Sequence, residues 1–309
     1  MVRIIIGCLL VASWAGAAPH DLVLVGSGGE REYEQRFAVW QQRLEKVLIE
    51  GMGHAKEQVH TVAGADSLHA IERAFGQLKQ ELDADDVLFV WLIGHGSFRG
   101  GLAKLNIPGP DLSAGRMDTL LRSLGIEQIV LVNTASASSA FINTLSANGR
   151  IICTSTRSVE ERNAPFFMEH LLAALESGNA DLNRDGRISI LEACAQASAL
   201  TQASYSDKGL LATEHALIDD DGDGLGSRLS LHTEERRDGK RADLVYVQEM
   251  RFPAGTPEEL VRQYERALVA AEAHIAQKGQ LSVEVYYRRL EVLFIEVART
   301  AAEIWPDAL

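Results

Sequence analysis

Cysteine is scarce in this sequence, and so are long hydrophobic runs and an excess of basic residues. Three cysteines in 309 residues are too few for the disulfide framework that stabilises small exported domains. After the first 18 residues, no segment is long and apolar enough to predict a transmembrane helix. The net charge of −13 disfavours a nucleic-acid partner, because phosphate-binding surfaces need a surplus of lysine and arginine.

The beginning of the chain has the pattern of a secretory signal peptide. Arg3 precedes an apolar run at residues 4–12, and small residues at 15–18 offer a cleavage site. We therefore expect residues 1–18 to be removed during export, to the periplasm or to the outside of the cell. The mature chain would begin near Ala18 or Pro19.

The rest of the chain is long enough for one large domain with an appendage. Across residues 19–250, short apolar runs alternate with helical patterns, which predicts a doubly wound, mostly parallel α/β sheet. The last strand is predicted at residues 243–247. Cys153 lies in a strand-like run and Cys194 in a helix-like one. An exported protein could pair them, but buried free thiols are the expected state.

Residues 86–98, with the sequence DVLFVWLIGHGSF, contain the strand around which the predicted sheet is organised. An unbroken run of β-branched and aromatic residues is typical of a strand buried on both faces. The run stops at Gly94, and His95 follows directly. Ligands of open α/β sheets bind past the carboxyl ends of the strands, so His95 is a candidate functional histidine. The alternative is a surface histidine in a turn.

A second buried run, residues 129–132, opens into the small residues NTASASSAF. Ser136 in this turn could present a nucleophilic hydroxyl. Its distance along the chain from His95 fits one crossover between neighbouring parallel strands. The two side chains are therefore predicted to share one edge of the sheet.

Residues 181–192 match every defining position of an EF-hand calcium loop. Gly186 supplies the sharp turn, and a helical pattern follows the loop. Ser189 and Glu192 also fit a capping box that merely begins a helix, but a cap explains neither the upstream oxygens nor the glycine. The predicted ligands of Ca²⁺ are Asp181, Asn183, Asp185, the Arg187 carbonyl group, Ser189 and Glu192.

A second acidic loop, residues 219–224, repeats the alternating ligand spacing at Asp219, Asp221 and Asp223. Its twelfth position is Ser230 rather than glutamate, so the bidentate ligand is missing. Two interpretations stay open, a weaker or incomplete calcium site and an acid-rich turn.

Residues 256–304 predict an antiparallel α-helical hairpin. Thr256 and Pro257, followed by two glutamates, form a helix start. Two apolar stripes flank a break at residues 278–280. The hairpin could pack on the sheet or on another subunit, which would give an oligomer, and it carries no predicted chemistry.

With both strand ends placed, residues 87–141 resemble the caspase-like fold of clan CD cysteine peptidases, in particular the legumain family and its bacterial relatives. In that family an apolar strand ends in His-Gly-Ser, as the HGS beginning at His95 does here. The next strand ends in an Ala-Cys-x-Ser-Gly-like turn, which here reads ASASS from Ala135. Serine thus stands in the place of the nucleophilic cysteine. The likeness extends from residue 21 to about 156, and more loosely to 247.

The resemblance implies that His95 is a general base, that Ser136 is a nucleophile, and that the amides of Gly96 and Ser136 form an oxyanion hole. A serine hydroxyl ionises far less readily than a thiol, and it needs a well-oriented base. If the turn is aligned one residue earlier, Ala135 takes the position and no nucleophile remains. A displaced thiol at Cys153 is a further alternative, although a buried strand cysteine is commoner.

Two functional hypotheses follow. The first is an exported, calcium-binding pseudopeptidase whose cleft binds peptide or a protein partner without turnover. The second is an active peptidase or hydrolase that uses a Ser136–His95 dyad. Ca²⁺ is the expected cofactor, and neither hypothesis includes nucleic acid or a membrane span.

Overall fold

The structure is a computed structural model that describes residues 18–64, 67–163, 165–229, 237–248, 252–253, 255–275 and 277–306. The chain divides into two compact units, one spanning Ala17–Met250 and the other containing Arg251–Leu309. Most of the predicted signal peptide, and Ser230 of the second acidic loop, lie outside the described residues.

The described residues of the first unit form ten strands. They are β1 (Pro19–Val25), β2 (Val59–Val62), β3 (Val87–Ile93), β4 (Gly96–Arg99), β5 (Leu102–Leu105), β6 (Leu112–Ser113), β7 (Gln128–Asn133), β8 (Arg150–Thr154), β9 (Leu217–Asp219) and β10 (Ser227–Arg228). Seven of them form one sheet in the order β10-β9-β8-β7-β3-β1-β2. The strands from β8 to β2 are parallel, and β9 and β10 are antiparallel. The prediction of a mostly parallel α/β sheet is confirmed.

The helices of the first unit are α1 (Arg31–Lys46), α2 (Ser67–Glu81), α3 (Ala114–Leu124), α4 (Ile142–Leu145), α5 (Phe167–Ser177) and α6 (Ile190–Asp207). A π-helical turn (Val47–Met52) and 3-10 turns (Lys56–Gln58, Ser138–Phe141, Ala242–Leu244) join them. Helices α2 and α3 pack on one face of the sheet, and α1 packs on β1 and β3 from the other. Helices on both faces are compatible with the predicted doubly wound fold.

Strand β3 is apolar along its whole length because both of its faces are covered by the core. All seven of its residues are buried. Because successive side chains point to opposite faces, Leu88, Val90 and Leu92 enter the core formed with α2 and α3. Phe89 and Trp91 point to the other face and stack on each other with ring centroids 6.0 Å apart. Burying one such side chain contributes about 1.5–3 kcal/mol.

In two parts of the first unit, the secondary structure differs from what the pattern of apolar residues predicts. Strands β4, β5 and β6 form a separate antiparallel sheet directly after His95. Their one sequence signal is the hairpin turn at Gly100 and Gly101, which have positive φ angles of 58° and 80°. The strand predicted at residues 243–247 is wrong in its first half, where Ala242–Leu244 forms a 3-10 turn, and in its second half it is reduced to an isolated antiparallel bridge between Tyr246 and Ser189. The Asp220 carboxylate accepts the amide hydrogen of Ala242 and holds the backbone in that turn.

Both cysteines of the described chain, Cys153 and Cys194, are buried free thiols, as predicted. No helix in the described parts of the chain is both long and apolar enough to cross a bilayer.

The second unit contains α7 (Glu258–Ile275) and α8 (Val283–Ile304). The two helices contact each other, and His274 Nε2 lies 3.0 Å from the carbonyl oxygen of Tyr286. At the other end of the pair, the rings of Phe252, Tyr264 and Trp305 pack together.

Candidate functional site

His95 follows the carboxyl end of β3, as predicted, and its ring packs against α1. The ring makes edge contacts with Tyr33 and Phe37, at centroid distances of 4.6 and 5.1 Å. Burial lowers the pKa of His95, and a hydrogen bond to the backbone of Gly28 opposes that change. The imidazole is therefore held by the chain segment that follows β1.

Ser136 follows the carboxyl end of β7, which is the neighbour of β3. Its side chain is buried, with the residue only 3% exposed. The hydroxyl donates a hydrogen bond to the carbonyl oxygen of Gly96 at 3.1 Å and accepts one from the Gly96 amide at 3.1 Å. The two strand ends are thus brought together, but the serine is joined to the backbone beside His95 and not to the imidazole.

The contact between the strand ends requires glycine at position 96. A Cβ atom there would lie 2.1 Å from the carbonyl oxygen of Ser136, which no side chain tolerates. The residue after Ser136, Ala137, takes a left-handed φ of 52°, a conformation that costs about 1–2 kcal/mol outside glycine. The turn is held by its neighbours, since the Ala137 amide donates to the carbonyl oxygen of Glu161 at 3.0 Å.

His95 lines a cavity of about 580 Å³ near the ends of β1 and β3. This is the point where the strand order reverses, the usual ligand position of an open α/β sheet. The Arg36 side chain forms part of the cavity lining. Its guanidinium carbon lies 5.3 Å from the ring centroid of Phe166, and its Nη2 lies 2.7 Å from Glu32 Oε1. Ser136 is not among the lining residues, which are Glu32, Tyr33, Arg36, His95, Arg162, Asn163 and Phe166.

The predicted EF-hand loop has a tight internal structure. Gly186 takes a φ of 83°, as the sharp turn requires. The Asp181 carboxylate accepts the amide hydrogens of Asp185 at 3.1 Å and of Gly186 at 3.0 Å. Asn183 Oδ1 also accepts from the Asp185 amide, at 2.9 Å. The first three predicted ligands therefore line the inside of one turn.

Glu192, the predicted bidentate ligand, is bound to the same loop. Its Oε1 accepts the amide hydrogens of Leu182 and Asn183, both at 3.0 Å. Its Oε2 accepts that of Ser189 at 2.9 Å, and the full capping box is present. The clusters of acidic and histidine side chains with ligand atoms within 4.8 Å of one another, among the described residues, do not include this loop.

The second acidic loop gains a ligand that the spacing along the chain does not predict. Carboxylate oxygens of Asp219, Asp221 and Asp238 lie within 4.8 Å of one another. Asp219 and Asp238 are 1% and 3% exposed. Burial is the main cause that raises the pKa of both, and nearby carboxylates add to it. Asp219 Oδ2 is buried and has no hydrogen-bond partner in the described part of the chain.

Asp238 is held in place by the β10 segment. Its Oδ2 accepts hydrogen bonds from the amide of Ser227 at 3.1 Å and from the Ser227 hydroxyl at 2.5 Å. The Asp220 amide donates to its Oδ1 at 3.3 Å. Asp223, the third ligand predicted from the sequence, is exposed and outside this cluster. Its Oδ1 accepts the amide hydrogen of Leu225.

Both acidic loops lie at the amino edge of the parallel strands, opposite the cavity. Strand β9 runs antiparallel to β8, and its last residue, Asp219, pairs with Ile152 in the middle of β8, so the loop that follows continues toward the amino end of β8. Helix α5 starts beyond β8 and runs back toward the amino edge. Its late residue Glu176 accepts hydrogen bonds at 2.8 and 2.7 Å from Arg43, near the end of α1.

No family model matches this chain, and no curated protein matches it either.

Proposed function

We propose that this protein is an exported, calcium-binding relative of the legumain-type peptidases, that it does not catalyse hydrolysis, and that its cleft binds peptide or a protein partner. The observation that carries the proposal is the position of Ser136. A nucleophile must reach both its base and the substrate. The buried Ser136 hydroxyl instead makes two hydrogen bonds with the Gly96 backbone and does not line the cavity of His95.

The same contact weakens the predicted oxyanion hole. An oxyanion needs amide hydrogens that are aimed at it and not already used. The Gly96 amide donates to Ser136 Oγ, so one of the two expected donors is occupied. These two features favour the pseudopeptidase over the active dyad, which is the alternative.

Calcium binding is supported by the oxygen ligands at the amino edge. The EF-hand loop offers Asp181, Asn183, Asp185 and Glu192 around one turn, and the second loop brings three carboxylates together. Oxygen ligands in a flexible arrangement bind Ca²⁺ better than they bind softer cations. Asp219 and Asp238 are buried beside a third carboxylate, that of Asp221, an arrangement that favours a bound cation.

Peptide binding is supported by the shape and chemistry of the cavity. Its volume of about 580 Å³ falls within the usual range for ligand pockets. The aromatic side chains of Tyr33 and Phe166 offer apolar surface, and Arg36, Arg162 and Asn163 offer hydrogen-bond donors toward peptide carbonyl or carboxylate groups.

The catalytic part of the proposal is tested with a fluorophosphonate probe for serine hydrolases. We expect no labelling of the wild type at any calcium concentration, and the same result for the Ser136→Ala variant. A wild type that is labelled while Ser136→Ala is not would overturn the pseudopeptidase proposal and establish the active dyad.

The calcium part is tested by titration calorimetry on the wild type and on Asp181→Ala. We expect two bound equivalents in the wild type and the loss of one in the variant. Asp207→Ala is the matched control, since Asp207 is an exposed acid at the end of α6. Identical isotherms for wild type and Asp181→Ala would refute calcium binding in the EF-hand loop.

The remaining sequence-based assignments stay predictions. They are the caspase-like topology, the signal peptide, the antiparallel hairpin at residues 256–304, and an oligomer formed through that hairpin.

A further inference from the structure

We propose that His20, His60 and Glu81 form a binding site for a transition-metal ion of the Zn²⁺ type. The three side chains come from three elements, since His20 is the second residue of β1, His60 lies in β2, and Glu81 ends α2. One ligand atom of each lies within 4.8 Å of the other two.

Strand pairing explains why the two histidines meet. Strands β1 and β2 are parallel neighbours, and Leu22 is the register partner of His60. His20 is two residues before Leu22, so both imidazoles stand on the same face of the sheet. The end of α2 covers that face and brings Glu81 to His60, where Glu81 Oε2 lies 2.9 Å from His60 Nε2.

The second observation is a buried ring nitrogen of His20. His20 is 6% exposed, and its Nδ1 has no hydrogen-bond partner within the described residues. Most buried side-chain polar atoms are paired, and a cation held with His60 and Glu81 would satisfy this nitrogen.

The other side of the His20 ring faces a carboxylate. Asp86 Oδ2 lies 3.6 Å from His20 Nε2. Asp86 is itself held by the amides of Ala18 at 2.9 Å and Asp83 at 2.8 Å. Histidines that bind metals usually have a polar partner at their second ring nitrogen, which orients the ring. An ion on Nδ1 would leave Nε2 to its neighbours Asp86 and Gln58, whose Nε2 lies 3.4 Å from it.

The chemistry of the donors selects the ion. Two imidazole nitrogens and one carboxylate are a common ligand set for Zn²⁺, and three protein ligands leave a position for water. Ca²⁺ is disfavoured because it takes oxygen ligands. The Glu81 side chain is 44% exposed, so the ion has a path from solvent.

This site is independent of the proposed function. His20 stands at the amino end of β1, whereas His95 lies beyond the carboxyl end of the parallel strand β3. The Asp219 cluster is also separate, because β9 lies on the far side of β8, β7 and β3 from β1.

The test is a Zn²⁺ titration of the full chain, without a polyhistidine tag, against a chromophoric chelator in millimolar Ca²⁺. Saturating Ca²⁺ keeps Zn²⁺ from the acidic loops. We expect one equivalent of Zn²⁺ in the wild type, with an affinity at least tenfold lower in Glu81→Gln and in His60→Gln. The matched control is His69→Gln, because His69 forms an exposed pair with Glu72 at 3.6 Å but has no second histidine.

Two results would overturn the proposal. One is a wild type that takes up no Zn²⁺, and the other is an unchanged affinity in Glu81→Gln. The Glu81 variant decides the matter if His60→Gln fails to fold, since Glu81 is half-exposed and its substitution leaves the core intact. Binding of Co²⁺ gives a second readout. Its visible absorption should be intense in the wild type and in His69→Gln, and weak in Glu81→Gln.

Discussion

The two edges of the parallel sheet use their polar side chains in opposite ways. At the carboxyl edge, the His95 ring packs against Tyr33 and Phe37, and the Ser136 hydroxyl is hydrogen-bonded to the Gly96 backbone. At the amino edge, Asp219 Oδ2 and His20 Nδ1 are buried without hydrogen-bond partners among the residues that the structure describes. The Ser136 hydroxyl is thus paired with the backbone beside it, whereas Asp219 and His20 each keep a potential ligand atom that no described residue pairs with.

This contrast teaches that a motif at a strand end fixes where a side chain starts and not where it points. His95 and Ser136 follow neighbouring strands as predicted, and their side chains still go to different partners. Burying a carboxylate or imidazole without a partner lowers the stability of the folded state, and a bound cation offsets that loss. Cations should therefore act on the amino edge and leave the carboxyl edge unaffected.

The largest expected effect is the stabilisation of the whole first unit by calcium. A cation at 100 times its Kd stabilises by about 2.7 kcal/mol per site, so two filled loops would add about 5 kcal/mol. In a unit of this size that corresponds to a rise in Tm on the order of 10 °C. Thermal unfolding followed by circular dichroism in CaCl₂ and in EGTA measures it. Equal Tm values in CaCl₂ and in EGTA would mean that the amino edge does not bind calcium, and the proposed difference between the two edges would fail.

The next effect isolates the second acidic loop. We expect Asp238→Asn to lower the calcium affinity of that loop at least tenfold, about 1.4 kcal/mol, because one of its three converging carboxylates is lost. The affinity of the EF-hand loop should not change. Calorimetry of the variant beside Asp207→Asn, an exposed control, measures both. If the isotherm of Asp238→Asn matches that of the control, the loop is an acid-rich turn.

A smaller effect is expected at the carboxyl edge. Ser136→Ala removes one hydroxyl that bonds the Gly96 backbone, and we expect the free energy of unfolding to fall by about 1 kcal/mol. Denaturant titration measures it, and the loss should be the same with and without calcium. A loss that depends on calcium would mean that the two edges are coupled.

The smallest effect is a pH dependence that involves His95. Burial lowers the pKa of His95 below its ordinary value of 6.5, so the folded state favours the neutral ring. This contribution to stability is fully present above pH 6.5 and is lost as the pH falls through that value toward the folded pKa. His95→Gln should flatten the fall in stability between pH 7.5 and 5.5, whereas His69→Gln, on the surface, should not.

Two other histidines will keep part of that slope in the His95 variant. Burial also lowers the pKa of His20 and His170. A slope that is identical in His95→Gln and the wild type would show that the imidazole is not held in the neutral form by its contacts with α1.

Much of the fold could be predicted because its signals are local. The run Val87–Ile93 is uniformly apolar and became a fully buried strand. The same reasoning failed for residues 243–247, where Val245 and Val247 are buried but pair with Ile188 and Ile190 at the end of the first acidic loop. Alternating apolar residues report burial, and they do not say which partner the backbone finds.

Local sequence patterns were enough to predict the alternation of strands and helices, the strand ends that carry His95 and Ser136, and the regular spacing of oxygen-bearing side chains in the two acidic loops. These features depend on residues a few positions apart, whose periodicity is written in the chain. Tertiary structure alone decided that Ser136 turns to Gly96, that Asp238 joins Asp219, and that His20 and His60 meet at Glu81. Those contacts depend on how distant segments pack, and no local pattern encodes that geometry.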